Sequence, residues 1–511
     1  MAARKPKRRS SLEVARDRAE RERLACEAMA YKLRRESLER AYEGATAGNY
    51  HPRRKETRSG DAVMQHANTR LRSIARYLDE NHDLAIGVLD DLVNKIIGTG
   101  IGIDPIVRRQ DGTPAADLNA AIAAGLSAWT EARPDSTRQY PWGDLQRLCC
   151  RTWLRDGELL VHHVEGEGRI RHRGPIPYSL ELLEPDFLPF DLFRDTQGQN
   201  RIVHGVELNG WREPVGYWLY FDHPGDFHAG RLGLSTDTKR VAADQLTHIR
   251  LVRRLHQTRG VTVFHGVLTR LEDIKEYDDS ERIAARVASA FTAVITRSAD
   301  YQGPYTEDAI NGATRRVMEM APGMIFDNLM PGEAVDTISS DRPNAQYDAF
   351  RKANERAVAA GTGTSRSSIS KDYIGNYSSQ RQELVESEVL YAKARDYFVS
   401  MFHREIYRRV VDWLVITGQV RLPADIDRAS LYAAAFTPPG SSWIDPLKEV
   451  KADREAVEAG FTSRQAVIRK RGGNPTEVDQ QIAQDNYQVP ALPAPAAAAT
   501  DPEDSANQEA A

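Results

Sequence analysis

Three cysteines in 511 residues are too few for a disulfide framework, and two of them, Cys149 and Cys150, are adjacent. Adjacent cysteines lack the spacing of a zinc site, so all three read as small apolar residues of a reducing compartment. No run of 18 or more apolar residues exists, which argues against a membrane-spanning helix. The N-terminus is basic but has no apolar segment of the secretory kind, so export is not expected. Lysine and arginine are missing after Arg471, where seven acids follow in a Pro/Ala-rich stretch that reads as a disordered tail.

Signatures of catalysis are equally scarce. "GDFHAGRL" has the glycine spacing of a Walker A loop at Gly225 and Gly230, but Arg231-Leu232 stands where Lys-Ser/Thr is required. "TGIGIDPIV" follows a helical pattern rather than a strand, which excludes a dinucleotide turn. His162 and His163 fall on a predicted strand, where neighbours point to opposite faces and cannot share one metal. No HExxH pattern or paired-acid nuclease cluster stands out. No enzyme activity, cofactor or metal is therefore expected.

What is present is ordinary in bulk: 41% hydrophobic, 28% charged, net charge −4. The charge is unevenly placed. Residues 1–60 hold 17 Lys and Arg against 9 acids, a basic arm whose apolar residues are too sparse for a core-facing stripe. Residues 61–100 read as two helices, the second with Leu84, Val88, Leu92 and Ile96 at four-residue spacing and a stop at Gly98. From about 150 to 260 the pattern is strand-like, in "GELLVHHV", "YSLELLEPDFLPF", "RIVHGVELN", "PVGYWLYF" and "HIRLVRR", with "NGWREP" as a turn. A helix is expected over about 262–298, some 50 Å long at 1.5 Å per residue. Residues 320–338 suggest two short strands around "NLMPGE". Asn344–Ala360 should be helical, as should a long run ending near Ile416 with Leu384, Val389, Tyr397, Met401 and Ile406 on its apolar face.

Two polar clusters invite a functional reading. Arg250, Arg253, Arg254 and Arg259 form a basic knot that could meet phosphate or, more simply, tie a salt-bridge network between subunits. The stretch "GTGTSRSSISKDYIGNYSSQRQELVESE" carries seven serines and one lysine. A nucleophile such as Ser368 or Ser370 with Lys371 would need a positioned base and an oxyanion hole, and no strand-to-helix elbow is nearby. The stretch reads instead as a hinge loop between two helices.

"LLEPDFLP" (Leu182–Pro189), "GVELNGWREPVGYWLY" (Gly205–Tyr220) with "HPGD" (His223–Asp226), "QLTHI" and "HQTRGV" (Gln245–Val261) and "DYIGNYSSQR" (Asp372–Arg381) resemble, in that order, the lambda-type family of tailed-bacteriophage portal proteins, the head-to-tail connectors. The resemblance covers about residues 60–470. It implies an α+β subunit of a ring, usually dodecameric, at one capsid vertex of a virion assembled in the host bacterial cytoplasm. Double-stranded DNA would pass through. The terminase large subunit, major capsid or scaffolding protein and a head-completion adaptor would dock, with no membrane partner. The same resemblance divides the chain into a basic arm (1–59), a β-rich wing (60–260), a first stem helix (261–299), a clip (300–343), a second stem helix (344–360), a tunnel loop (361–380), a wing-return helix with its following segment (381–439), a helical crown (440–475) and an acidic tail (476–511). Arg366, Ser367, Ser368, Ser370 and Lys371 become candidates to face DNA, with contacts to neighbouring subunits as the alternative. A non-portal scaffold or adaptor of a virion is the competing function, and a DNA-packaging enzyme a more distant one, since it would need the lysine or acid cluster missing above.

Overall fold

The computed structural model describes residues 20, 23–31, 58–168, 170–195, 200–226, 237–290, 294–297, 333–336, 346–373, 376–438, 440 and 446–485. The chain divides into two units, Met1–Ser59 and Gly60–Ala511. In the first, residues 23–31 are helical and exposed, as expected of a polar helix with few apolar residues.

The second unit opens with α1 (Gly60–Asn81) and α2 (Asp83–Ile96). His82 separates them as an N-cap that accepts from Leu84 N–H, and the apolar spacing of α2 buries Leu84, Val88, Leu92 and Ile96. After β1 (Gly102–Pro105) come α3 (Ala116–Glu131) and α4 (Trp142–Asp156). Helix α4 ends on Gly157 in the left-handed region (φ 81°), which turns the chain directly into β2 (Glu158–Glu165). There follow β3 (Tyr178–Leu183), β4 (Arg194–Asp195), β5 (Arg201–Val203), β6 (Val206–Leu208), β7 (Pro214–Tyr220), β8 (Thr238–Ala242) and β9 (Leu246–Arg250).

These strands form two antiparallel sheets, one ordered β3-β2-β9 and the other β4-β5-β6-β7-β8. Strand β2 is buried on both faces, and its alternation serves two cores. Leu159 and Val161 join a large cluster with α1 to α4 and the later long helices. Leu160 joins a smaller cluster with Val206, Leu208, Tyr217, Leu219 and Val241 of the five-stranded sheet. Leu183 of β3 and Leu246 of β9 share this cluster, so the five-stranded sheet, the small sheet with the smaller core, is fastened to the main body through all three strands of the other.

Helix α5 (Leu268–Ala290) has 23 residues, about 35 Å, and is shorter than the sequence suggests. At its start, Thr262 Oγ1 accepts from Phe264 N–H and sets a separate 3-10 turn, Val263–Gly266. Beyond its end, the β-branched Val294–Arg297 is not helical. It forms β10 and pairs antiparallel with β11 (Glu333–Asp336). The first of the two strands expected around "NLMPGE" lies outside the described residues.

Helix α6 (Tyr347–Thr362) leads through short α7 (Arg366–Ser370) to α8 (Tyr377–Phe398). A π turn, Val399–His403, carries α8 without a break into α9 (Arg404–Ile416). Of the apolar face expected along this run, Ile406 is buried and Tyr397 and Met401 half-buried, but Leu384 and Val389 are exposed. Strand β12 (Ala434–Thr437) returns to pair with β1, and α10 (Pro446–Glu458), α11 (Arg464–Lys470) and α12 (Pro475–Gln484) close the described chain. The fold is α+β, and no described helix is long and apolar enough to cross a membrane.

Candidate functional site

The sequence stretches singled out above converge on a buried ion network where the small sheet meets the helices. At its centre Arg259 and Glu158 are both fully buried. Arg259 Nε and Nη2 donate to the Glu158 carboxylate at 2.8–2.9 Å. Its remaining donors go to the carbonyls of Pro185 (3.0 Å), Leu188 (3.1 Å) and His204 (3.2 Å), and Phe190 lies 4.9 Å beneath the guanidinium. Gly260 N–H also donates to Glu158. Burial alone would raise the Glu158 pKa, but Arg259 and His248 outweigh it and hold the carboxyl far below the usual range. A Cβ on Gly260 would fall 2.0 Å from the Gly157 carbonyl oxygen, so glycine is required for this approach.

Around this centre lies a second layer. Arg76 donates to Asp156 (2.7 Å), Glu184 (3.2 Å) and Asp186 (2.6 Å), Arg72 pairs with Asp186 (3.3 Å), and Arg155 reaches Asp156 and Glu184. His223 Nε2 stands 3.5 Å from Glu184. Glu184, Asp186 and His223 are spaced as metal ligands could be. However, the Arg76 guanidinium already holds both carboxylates, which is where a cation would sit. These interactions show why the motif residues occur together: "LLEPDFLP" supplies Glu184, Asp186 and two carbonyls, "HPGD" supplies His223, and "HQTRG" supplies Arg259 and Gly260.

The basic knot therefore divides. Arg259 is an internal ion pair, and neither a phosphate contact nor a bridge to another subunit. Arg250 is half-buried, its guanidinium donating to the carbonyls of Gln257 and Thr258. Only Arg253 and Arg254 are exposed. Sequence reasoning missed Glu158, because an acid inside an apolar strand gives no sign of a partner 101 residues away. His162 and His163 do point to different partners, Glu181 for one and Tyr178 and Thr247 for the other.

The serine-rich segment is ordered rather than open. Gly363 ends α6 in the left-handed region (φ 76°). Ser365 caps α7, and its hydroxyl donates to Glu383 Oε1 at 2.5 Å. Ser367 donates to the same carboxylate through its amide (3.2 Å) and hydroxyl (3.0 Å). Arg366 pairs with Asp372 (3.2 Å) and Glu355 (3.7 Å). Ser370 donates to the Arg366 carbonyl, Ser368 is half-buried, and Lys371 is exposed at φ 56° with no ion pair among the described residues. The pairing of Ser368 or Ser370 with Lys371 does not form: Ser370 donates to a carbonyl instead, and neither hydroxyl is bonded to Lys371 among the described residues. "DYIGNYSSQR" supplies Asp372 and the α8 cap Asn376, which accepts from Ser379 N–H.

Residues 48–395 match the family model of phage portal protein, lambda family. The chain belongs to this family. A probable portal protein of Halomonas phage phiHAP-1 is 26% identical over 438 residues, 84% of this chain and 82% of that protein. Portal protein B of Escherichia phage lambda is 24% identical over 250 residues, 44% of this chain and 47% of the relative. The portal protein of Escherichia phage N15 is 26% identical over 261 residues, 45% and 48% of the two chains. Among solved structures, a chain from the neck of a native GTA particle computed with C12 symmetry is 14% identical, with 79% of this chain and 93% of that one covered and a TM-score of 0.38. A chain from the virion of a native gene transfer agent gives 14%, 81%, 99% and 0.39. The match takes in the whole ion network and the serine-rich segment. It leaves out α9 and all that follows.

A cleft of about 1640 Å³ runs between α8–α9 and the edge formed by β7, β9 and the chain after β9, lined by Tyr217, Arg250, Val252, Tyr391, Tyr397 and Trp413. Its lining mixes these aromatics with charges that pair with one another, Arg409 with Glu165 and Glu405.

Proposed function

We propose that this chain is the repeating subunit of a ring, dodecameric as the family resemblance implies, at one vertex of a phage head. Double-stranded DNA passes through it during packaging and ejection. The family match over residues 48–395 carries this reading, and the ion network gives it a physical basis. A subunit that carries force between a motor and a head needs its small sheet locked to its helices, and a fully satisfied buried network does that at one junction. Helices α5 and α6 would serve as the two stem helices and the turn that starts at 361 as the tunnel loop, where Glu383 anchors Ser365 and Ser367; of the clip, 300–343, all but residues 333–336 lie outside the described residues. Within that loop Lys371 is the side chain best placed to touch the DNA backbone, because Arg366 is already paired with Asp372 and Glu355. Terminase and head-completion proteins would dock on the assembled ring, which would be built in the host cytoplasm and act without catalytic chemistry of its own.

Negative-stain imaging of the purified chain tests this reading. Closed rings with a central channel of duplex width are expected, and a monomer under all conditions would overturn it. Lys371→Ala is expected to leave rings intact and to lower DNA retention after packaging. Unchanged retention would remove Lys371 from the DNA path.

A further inference from the structure

A pocket of about 480 Å³ lies between the β6–β7 turn and the segment that follows β9. Four arginines line it, Arg212, Arg250, Arg253 and Arg254, together with His256 and Trp211, and no acid does. The acids that adjoin these turns are engaged elsewhere. Asp61 accepts from the Thr258 amide (2.6 Å) and hydroxyl (3.0 Å), and Glu213 accepts from the Asn209 side-chain amide (2.8 Å). None of the four arginines has an ion pair among the described residues. Guanidiniums gathered around one hollow repel one another, and an anion seated among them removes that repulsion.

The pocket is built before any ligand arrives. Asn209 Oδ1 accepts from Trp211 N–H and Glu213 N–H, both at 2.9 Å, which fixes the first turn. Gln257 fixes the second, accepting from Arg253 N–H (3.2 Å) and Arg254 N–H (3.3 Å) while donating to the Arg259 carbonyl (2.7 Å). Arg250 Nη1 donates to the carbonyls of Thr258 (2.7 Å) and Gln257 (3.4 Å), so its guanidinium is held at the pocket wall. Little conformational freedom is then lost on binding. Trp211 is 93% exposed on its fixed turn and leaves its indole open to stacking. Guanidinium forks suit phosphate oxygens, an indole suits the face of any base, and the volume is that of a small-ligand site.

We propose that this pocket binds a nucleotide whose base is unpaired, with the phosphate among Arg212, Arg253 and Arg254 and the base on Trp211. A free nucleotide and an unpaired strand share this chemistry. A duplex does not, because its bases are stacked on one another and closed to the indole. The site is complete within one copy of the chain and does not depend on the ring.

The test uses the full-length chain with three ligands: a labelled oligothymidylate followed by fluorescence anisotropy, and dTMP and inorganic phosphate followed by calorimetry. Trp211→Ala should weaken the oligothymidylate and dTMP about tenfold and leave inorganic phosphate unchanged, and Trp211→Phe should restore most of the loss. Arg253→Ala/Arg254→Ala should weaken all three ligands, and should lower the slope of log affinity against log salt for the oligothymidylate by about 1.4. The changed side chains are exposed, so each variant should keep the wild-type circular dichroism. A strand held only by the basic arm would not respond to Trp211. Displacement of the oligothymidylate by dTMP would identify the free nucleotide as a sufficient ligand, and strand binding that persists in excess dTMP would identify the strand. The proposal is overturned if Trp211→Ala leaves both nucleotide ligands unchanged, if a duplex competes as well as the single strand, or if inorganic phosphate alone is bound.

Discussion

Arg259 illustrates what a buried guanidinium requires. Its five N–H donors are met by the Glu158 carboxylate and three carbonyls, while Gly260 N–H takes the carboxylate's remaining capacity. Breaking such a pair from one side leaves an uncompensated buried charge. Arg259→Met should therefore cost roughly 3–5 kcal/mol, read as a lower denaturant midpoint, and the double variant Arg259→Met/Glu158→Gln should lose less than the single one. The buried histidines make a second prediction at this scale. His403, enclosed by Phe398, Phe402 and Trp142, has its pKa pushed down to about 3 by burial, and burial together with Arg409 and His162 pushes His163 down to about 2. Each stays neutral in the fold while the unfolded chain protonates near pH 6.5. Their contribution is complete above that pH and is lost as pH falls below it, at about 1.4 kcal/mol per pH unit for each group. The paired acids Glu158 and Asp156, whose pKa values are depressed in the fold, weaken stability only below the unfolded carboxylate range, so the window from pH 6.5 to 4.5 belongs to histidines. Unfolding of His403→Phe across that window should show a shallower loss than wild type, by about 1.4 kcal/mol per unit.

Among the elements, the turn between α6 and α8 shows how a polar sequence becomes fixed structure. Glu383, one turn and a half inside α8, receives Ser365 and Ser367 and so anchors α7 from the far side of the turn. Glu383→Ala should remove about 1–3 kcal/mol of local stability, seen as faster amide exchange over residues 365–371 while α8 itself remains protected. Where periodicity was clear, the sequence was readable: α1 and α2, β2, β7 and the start of β9 lie where alternation and four-residue spacing put them. It was less so where side chains decide. That α5 does not reach 298 follows from the β-branched run Val294–Arg297, which finds a strand partner some 40 residues on, and local pattern does not reveal it. The aliphatic residues of α8 have the spacing of a core face, yet Val385 and Val389 are exposed among the described residues. The family motifs were visible as strings, but their cause, a network drawing on residues from 72 to 259, was not, because it depends on contacts across the fold.

For the molecule as a whole, charge sets how it can meet DNA. A chain of net charge −4 that let a duplex slide through it should neutralise few phosphates, since each one neutralised releases counterions and makes binding steeply dependent on salt. A share of the positive charge of the second unit is committed: Arg72, Arg76, Arg151, Arg155, Arg259, Arg351, Arg366 and Arg409 all face carboxylates of the same chain. Lys371 stands apart from that group, exposed on its short turn. Duplex binding by the assembled protein should then be weak and should fall only gently between 50 and 200 mM salt, far from the ~10³–10⁵-fold loss expected when six to ten phosphates are held. Lys371→Ala should flatten the slope of log affinity against log salt further, with no change in sequence preference, because a lone ammonium reads the backbone and not the bases. Removing residues 1–59, where 17 of the Lys and Arg lie in 1–60, separates the arm from the ring. If the steepness of the salt dependence disappears with the arm and not with Lys371, the DNA contact belongs to the arm, and the turn serves the subunit rather than the duplex.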